Sequence, residues 1–175
     1  MRNKDDSDYD FWIIPEGLKD YDNSIKAYVP AFSDKLNIFG SYKVLLPKSG
    51  AYRIGRDAGI LLPNEACCDS FIVSAFATKD ACNNFVSYIN TNLFIYILDK
   101  TARDQNAYST LNRYIPDLSE TVNPRTGKTG YDSDWTDDDL KTVFAGILTD
   151  DDWIYIKSHV PDCPPAHNIM KPVGR

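Results

Sequence analysis

The stretch 78–100, TKDACNNFVSYINTNLFIYILDK, constrains this chain more than any other. Ala81, Phe85, Tyr88, Ile89, Asn92, Leu93, Tyr96 and Ile97 recur three or four residues apart, the period of one helix face. Thr78 offers an N-cap oxygen, and Asp80 puts a negative charge in the first turn, where the helix dipole favours it. The apolar stripe broadens over 93–98. The spacing therefore predicts one long helix over 78–100 whose second half is buried nearly all round. The polar run 99–106 (DKTARDQN) then leaves it.

Such a helix needs an apolar surface to pack on, and the preceding residues supply short strands. Residues 41–46 (SYKVLL) read as a strand stopped by Pro47 and the turn residues Lys48, Ser49 and Gly50. Residues 52–55 read as its return, 57–63 as another apolar piece, and 68–76 (CDSFIVSAF) as a strand rich in β-branched and aromatic side chains. Two shorter extended pieces lie earlier, at 11–15 (FWIIP) and 28–32. Strands this closely spaced suit an antiparallel or mixed sheet rather than βαβ units.

After the helix, 119–134 is a loop by composition, with Pro124, Gly127 and Gly130. Thr136 followed by Asp139, and Thr149 followed by Asp152, are two capping-box patterns that open two short helices. Leu140, Val143 and Phe144 form the apolar face of the first, with Gly146 stopping it. Trp153, Ile154 and Ile156 are expected to face inward from the second. The fold class expected is α+β: a small antiparallel or mixed sheet packed on one long helix, with two short C-terminal helices. Residues 1–10 read as a flexible tail, 11–160 as one domain, and 161–175 as a Pro-rich tail.

Charge bears on partners. The formal net charge is −6, but residues 35–131 hold 11 basic and 8 acidic side chains, while both ends are acidic. A nucleic-acid surface in the middle is compatible with that distribution. The N-terminus is polar and acidic rather than a secretory signal, and no apolar run approaches the roughly 18 residues of a membrane span. Four Cys without a CxxC pair, and two His, do not make a zinc site. A cytoplasmic protein with reduced thiols is expected.

Catalytic patterns are not found. The Asp triplets 137–139 and 150–152 follow Thr caps, so first-turn complementarity accounts for them better than a metal site does. His159 and His167 have no nucleophile pattern beside them. Residues 123–130 (NPRTGKTG) contain GKT without the GxxxxGK[ST] spacing of a phosphate-binding loop, and read as a flexible basic loop. What remains is a set of polar and basic side chains at element ends: Lys43, Lys48, Arg53, Arg56, Lys100, Arg103, Gln105 and Asn106. Lys and Arg suit phosphates and guanine, Asn and Gln suit adenine edges, and solvated surface is the plainer reading.

Several blocks, in order, resemble the C-terminal specificity region of type II restriction–modification N6-adenine DNA methyltransferases. They are Tyr42-Lys-Val44, Ser70-Phe-Ile-Val73, Thr78 to Ala81, Asn84, Ser87-Tyr-Ile89, Thr91, Phe94, Tyr114-Ile-Pro116, Trp135-Thr-Asp-Asp-Asp-Leu140 and Leu148-Thr-Asp-Asp-Asp-Trp-Ile154. The likeness spans roughly residues 40–158. Ala75 stands where that family has Gly, Thr101 and Gln105 are split where it has a Thr-Gln pair, and 119–134 resembles an insertion. The family's catalytic half is missing: neither its Asn/Asp-Pro-Pro-Tyr/Phe motif nor a Gly-rich cofactor loop is found. The resemblance implies a non-catalytic target-recognition domain or fragment that binds double-stranded DNA through the eight residues named above. It implies no cofactor in this chain, S-adenosylmethionine belonging to a methyltransferase module of the parent polypeptide, with or without a nuclease module. A protein–protein module of a restriction or defence complex is the alternative.

Overall fold

The structure is a computed structural model. It describes residues 8–13, 25–30, 38, 40–47, 59–63, 65–67, 71–101 and 113–160. The expected return strand at 52–55 and the Pro-rich tail lie outside them.

Six strands form two three-stranded sheets. In the first, β1 (Asp8–Ile13) pairs antiparallel with β2 (Ile25–Pro30), with Asp8 opposite Pro30 and Ile13 opposite Ile25, and parallel with the two-residue β5 (Glu65–Ala66). β1 begins three residues inside the stretch expected to be a tail. In the second sheet β3 (Tyr42–Pro47) is central, antiparallel to both β4 (Gly59–Leu61) and β6 (Phe71–Phe76). Lys43, Val44, Leu45 and Leu46 are all buried, an unbroken run rather than an alternation, so both faces of β3 are covered there.

The predicted long helix is two helices, α1 (Lys79–Ile89) and α2 (Asn92–Thr101). The break at Asn90 and Thr91 has a local cause. Thr91 Oγ1 donates to the Tyr88 carbonyl (2.7 Å) and accepts from Phe94 N (3.3 Å), while Asn90 Nδ2 donates to the Val86 carbonyl (2.9 Å). These side chains replace the ladder bonds of a continuous helix with an end and a new start. The buried face runs on through the break, but it is rotated from the predicted stripe. Cys82, Val86, Tyr88, Ile89, Leu93, Phe94 and Leu98 belong to the core with Val44, Leu46 and Ile60, whereas Ala81, Phe85, Asn92, Tyr96 and Ile97 are only half-buried.

α3 (Asp137–Val143) and α4 (Asp150–His159) both open on the expected capping boxes, Thr136 with Asp139 and Thr149 with Asp152. α3 ends at Val143 with Phe144 as its C-cap, two residues before Gly146. Leu140, Trp153 and Ile156 close the core with Leu118 and Trp135. Ile154 does not join them. It is 68% exposed, because on a 3.6-residue turn it cannot share the face that carries Trp153 and Ile156. The class is α+β. Among the described residues no helix is long and apolar enough to cross a membrane.

Candidate nucleic-acid interface

Of the eight side chains expected to meet DNA, the described residues include Lys43 and Lys100. Lys48, Arg53, Arg56, Arg103, Gln105 and Asn106 lie outside them.

Lys43 is corrected to a framework residue. It is only 2% exposed, and its ammonium donates to the carbonyls of Ser41 (2.7 Å), Ile38 (3.1 Å) and Leu62 (3.3 Å). A buried charge is tolerated only when its hydrogen bonds are met, and here three carbonyls meet them. An ammonium so engaged ties β3 to the segment after β4 and presents no donor to a phosphate at the surface.

Lys100 is placed differently. It stands exposed in the last turn of α2, where the helix dipole favours a cation. Its Nζ lies 2.8 Å from Asp99 Oδ2 and 5.8 Å from the centre of the Tyr96 ring. The hydrogen bond and charge of Asp99 hold its pKa above the ordinary lysine value. It is therefore a standing positive charge at the C-terminal end of α2.

The segment read as a flexible basic loop is cross-braced. Val122 and Thr129 form a bridge, and Asn123 N donates to the Lys128 carbonyl (2.8 Å) and Gly130 N to that of Thr121 (2.8 Å). Asn123 is fully buried. Its Oδ1 accepts from Arg125 N and Thr126 N, and its Nδ2 donates to the Asp134 carbonyl. Gly127 and Gly130 take positive φ of 71° and 61°, which glycine adopts at least cost. The amides of Asn123, Arg125, Thr126, Gly127, Lys128 and Gly130 are thus engaged within the loop rather than turned together towards an anion. Arg125 is engaged too: its Nη2 donates to Asp134 Oδ1 (2.9 Å) and its Nε to Asp139 Oδ1 (3.2 Å).

The residues that carry the family resemblance serve as ties between segments. Thr78 Oγ1 caps α1 by accepting from Ala81 N (3.1 Å). Asn84 Nδ2 donates to the Tyr131 carbonyl (2.9 Å), and Ser87 Oγ accepts from Trp135 N (2.8 Å). Tyr88 OH donates to the Pro116 carbonyl (2.6 Å), and burial pushes that phenol far above its usual range. Asp137, in the first turn of α3, reaches back to α2. It accepts from Asn92 N (2.9 Å), Leu93 N (3.4 Å) and Asn92 Nδ2 (2.7 Å). Burial raises its pKa, and these hydrogen bonds only partly offset the rise.

The Asp triplets act as first-turn groups, as expected. Asp139 and Asp152 complete their boxes, and Asp137 clasps a neighbouring helix. Sequence reading missed one surface. Ile147 (76% exposed), Ile154 and Tyr155 (52%) leave apolar area on the outside of α4. The signal was present in the spacing, since Trp153 and Ile156 define one face and Ile154 and Tyr155 must then point elsewhere. Compared with known proteins, the chain matches no family model, no curated protein and no solved structure.

Proposed function

We propose that this chain is a non-catalytic DNA sequence-recognition domain, or a piece of one, belonging to a restriction–modification adenine-specific DNA methyltransferase or restriction enzyme of the bacterial cytoplasm. It holds double-stranded DNA so that a methyltransferase or nuclease module acts at one sequence. S-adenosylmethionine serves the methyltransferase module and has no place in this chain. The observation that carries the reading is the ordered run of sequence blocks from Tyr42 to Ile154. Support comes from what those blocks do: they tie one framework together, so a chain that keeps them keeps a platform for variable contact residues. The contact set is then Lys48, Arg53, Arg56, Lys100, Arg103, Gln105 and Asn106, Lys43 being engaged in the fold. Phosphates take the cations, and base edges take Arg, Gln and Asn.

The test is binding of the whole chain to a pool of random duplexes and to N6-methylated duplexes, followed by fluorescence anisotropy at rising salt. Binding at low salt that weakens steeply as salt rises is expected, with a weaker complex for Arg103→Ala. Absence of binding at low salt overturns the reading. Unchanged binding by Arg103→Ala removes that residue from the contact set.

A second reading, a protein–protein module of a restriction or defence complex, is favoured by the exposed apolar group on α4. Association of that kind changes far less with salt than phosphate binding does.

A further inference from the structure

α4 buries Trp153 and Ile156 and turns a second face outward. Ile154 is 68% exposed and Ile147, in the turn before the helix, 76%; Tyr155 is 52% exposed although its ring lies edge-on to Tyr96 of α2 and stacks on His159. Exposed apolar side chains on and beside one helix offer a partner a surface to cover. The charges beside them vary along the helix. Asp150 and Asp151 stand at the N-terminal end, Lys157 at the C-terminal end. Asp150 and Lys157 are seven residues apart, two turns, so they flank Ile154 on the same side. Nucleic acid is disfavoured here by the carboxylates of Asp150 and Asp151. A uniformly basic partner would meet Lys157.

We propose that the outer face of α4 pairs antiparallel with the same face of a second copy of this chain. A two-fold pairing brings the same patch of both copies together, each end meeting the opposite end. Centred near Ile154, it packs Ile154 and Tyr155 on their counterparts and sets Asp150 of each copy against Lys157 of the other. The two helix dipoles also oppose one another favourably. The edges of this contact are charge-matched although the chain as a whole carries −6. Within one copy Asp150 Oδ1 already lies 2.7 Å from Lys141 Nζ, but both side chains are exposed, and such a bridge competes weakly. One ten-residue helix covers less than the roughly 800 Å² per partner of a standard interface, so the pairing is weak and reversible. The inference does not depend on the DNA reading.

The experiment is sedimentation equilibrium of the whole chain at concentrations up to about 1 mM, without DNA. The average mass is expected to rise from monomer towards dimer. Asp150→Lys and Lys157→Asp, each alone, weaken association roughly tenfold, because two attractive contacts per dimer become repulsive. The double variant exchanges the two charges and restores association. Ile154→Asp abolishes it, and Ile154→Ser, milder towards the helix, weakens it. A parent that stays monomeric throughout overturns the proposal. So does a double variant no better than the singles, or an Ile154→Ser that associates like the parent.

Discussion

Asp139 is nearly buried at the start of α3, and four hydrogen-bond donors converge on its carboxylate. Thr136 N (2.9 Å) and Thr136 Oγ1 (2.8 Å) reach Oδ2, and Arg125 Nε and Nη2 approach it from the loop. Burial alone would raise its pKa, but the bonds from Arg125 and Thr136 outweigh burial and hold it below the ordinary carboxylate range. The sign follows. A lowered carboxyl stabilises the fold above its unfolded pKa and loses that contribution as pH falls through the folded value. Asp139→Asn is therefore expected to cost about 1–3 kcal/mol at neutral pH. The difference from the parent should shrink in acid, as read by denaturant unfolding across pH. Asp137 works in the opposite sense. Its raised pKa means that its contribution declines as pH rises through the carboxylate range and is level above it. The two tryptophans give another contrast. Trp135 Nε1 donates to the Gly130 carbonyl (2.9 Å), whereas Trp153 Nε1 is buried with no partner among the described residues. Trp135→Phe strands a buried carbonyl and is expected to cost about 1–2 kcal/mol more than Trp153→Phe, measured by thermal unfolding.

At the scale of elements, the hairpin 121–130 depends on its turn chemistry. A Cβ at Gly130 would lie 2.4 Å from the Ser119 carbonyl oxygen, and the residue also holds a φ of 61°. Gly130→Ala is expected to destabilise by at least about 2 kcal/mol, from the left-handed backbone and the clash with main chain together. Gly127, also at positive φ but with open space around it, should lose only the conformational part, about 1 kcal/mol. Denaturant midpoints of the two variants test the ranking. These elements also show where sequence reading succeeds. The caps at Thr78, Thr136 and Thr149 were legible because an N-cap, with or without its box, acts within three residues. The break at Asn90 and Thr91 was not, because the apolar stripe continues across it and the stripe is the stronger signal. The order in 119–134 was hidden for another reason: one of its braces is Asn84, more than 40 residues away, and composition carries no trace of such a partner.

At the scale of the whole molecule, the two sheets and four α-helices among the described residues place the basic candidates unequally. Lys43 looked like any strand lysine. Its burial shows only in the fold, where its ammonium meets the carbonyls of Ile38, Ser41 and Leu62, and the Leu62 contact, 19 residues away, is one that local pattern does not encode. The same core shields Cys82. It is fully buried, and burial pushes its thiol to about 11 despite the nearby charge of Lys43. A thiol at that value holds almost no thiolate at neutral pH. Alkylation of the native chain followed by mass spectrometry is expected to leave Cys82 unmodified, and labelling should appear only as denaturant unfolds the core. Labelling in native buffer would show that the core opens locally. One arrangement also has a kinetic consequence. The first amides of α2, Asn92 N and Leu93 N, are held by Asp137, a residue 45 positions downstream of Asn92. A nascent chain that has emerged only through Thr101 lacks that carboxylate. The start of α2 then stays frayed during synthesis until α3 has emerged, and in the finished protein deuterium uptake at Asn92 and Leu93 should keep time with the opening of α3.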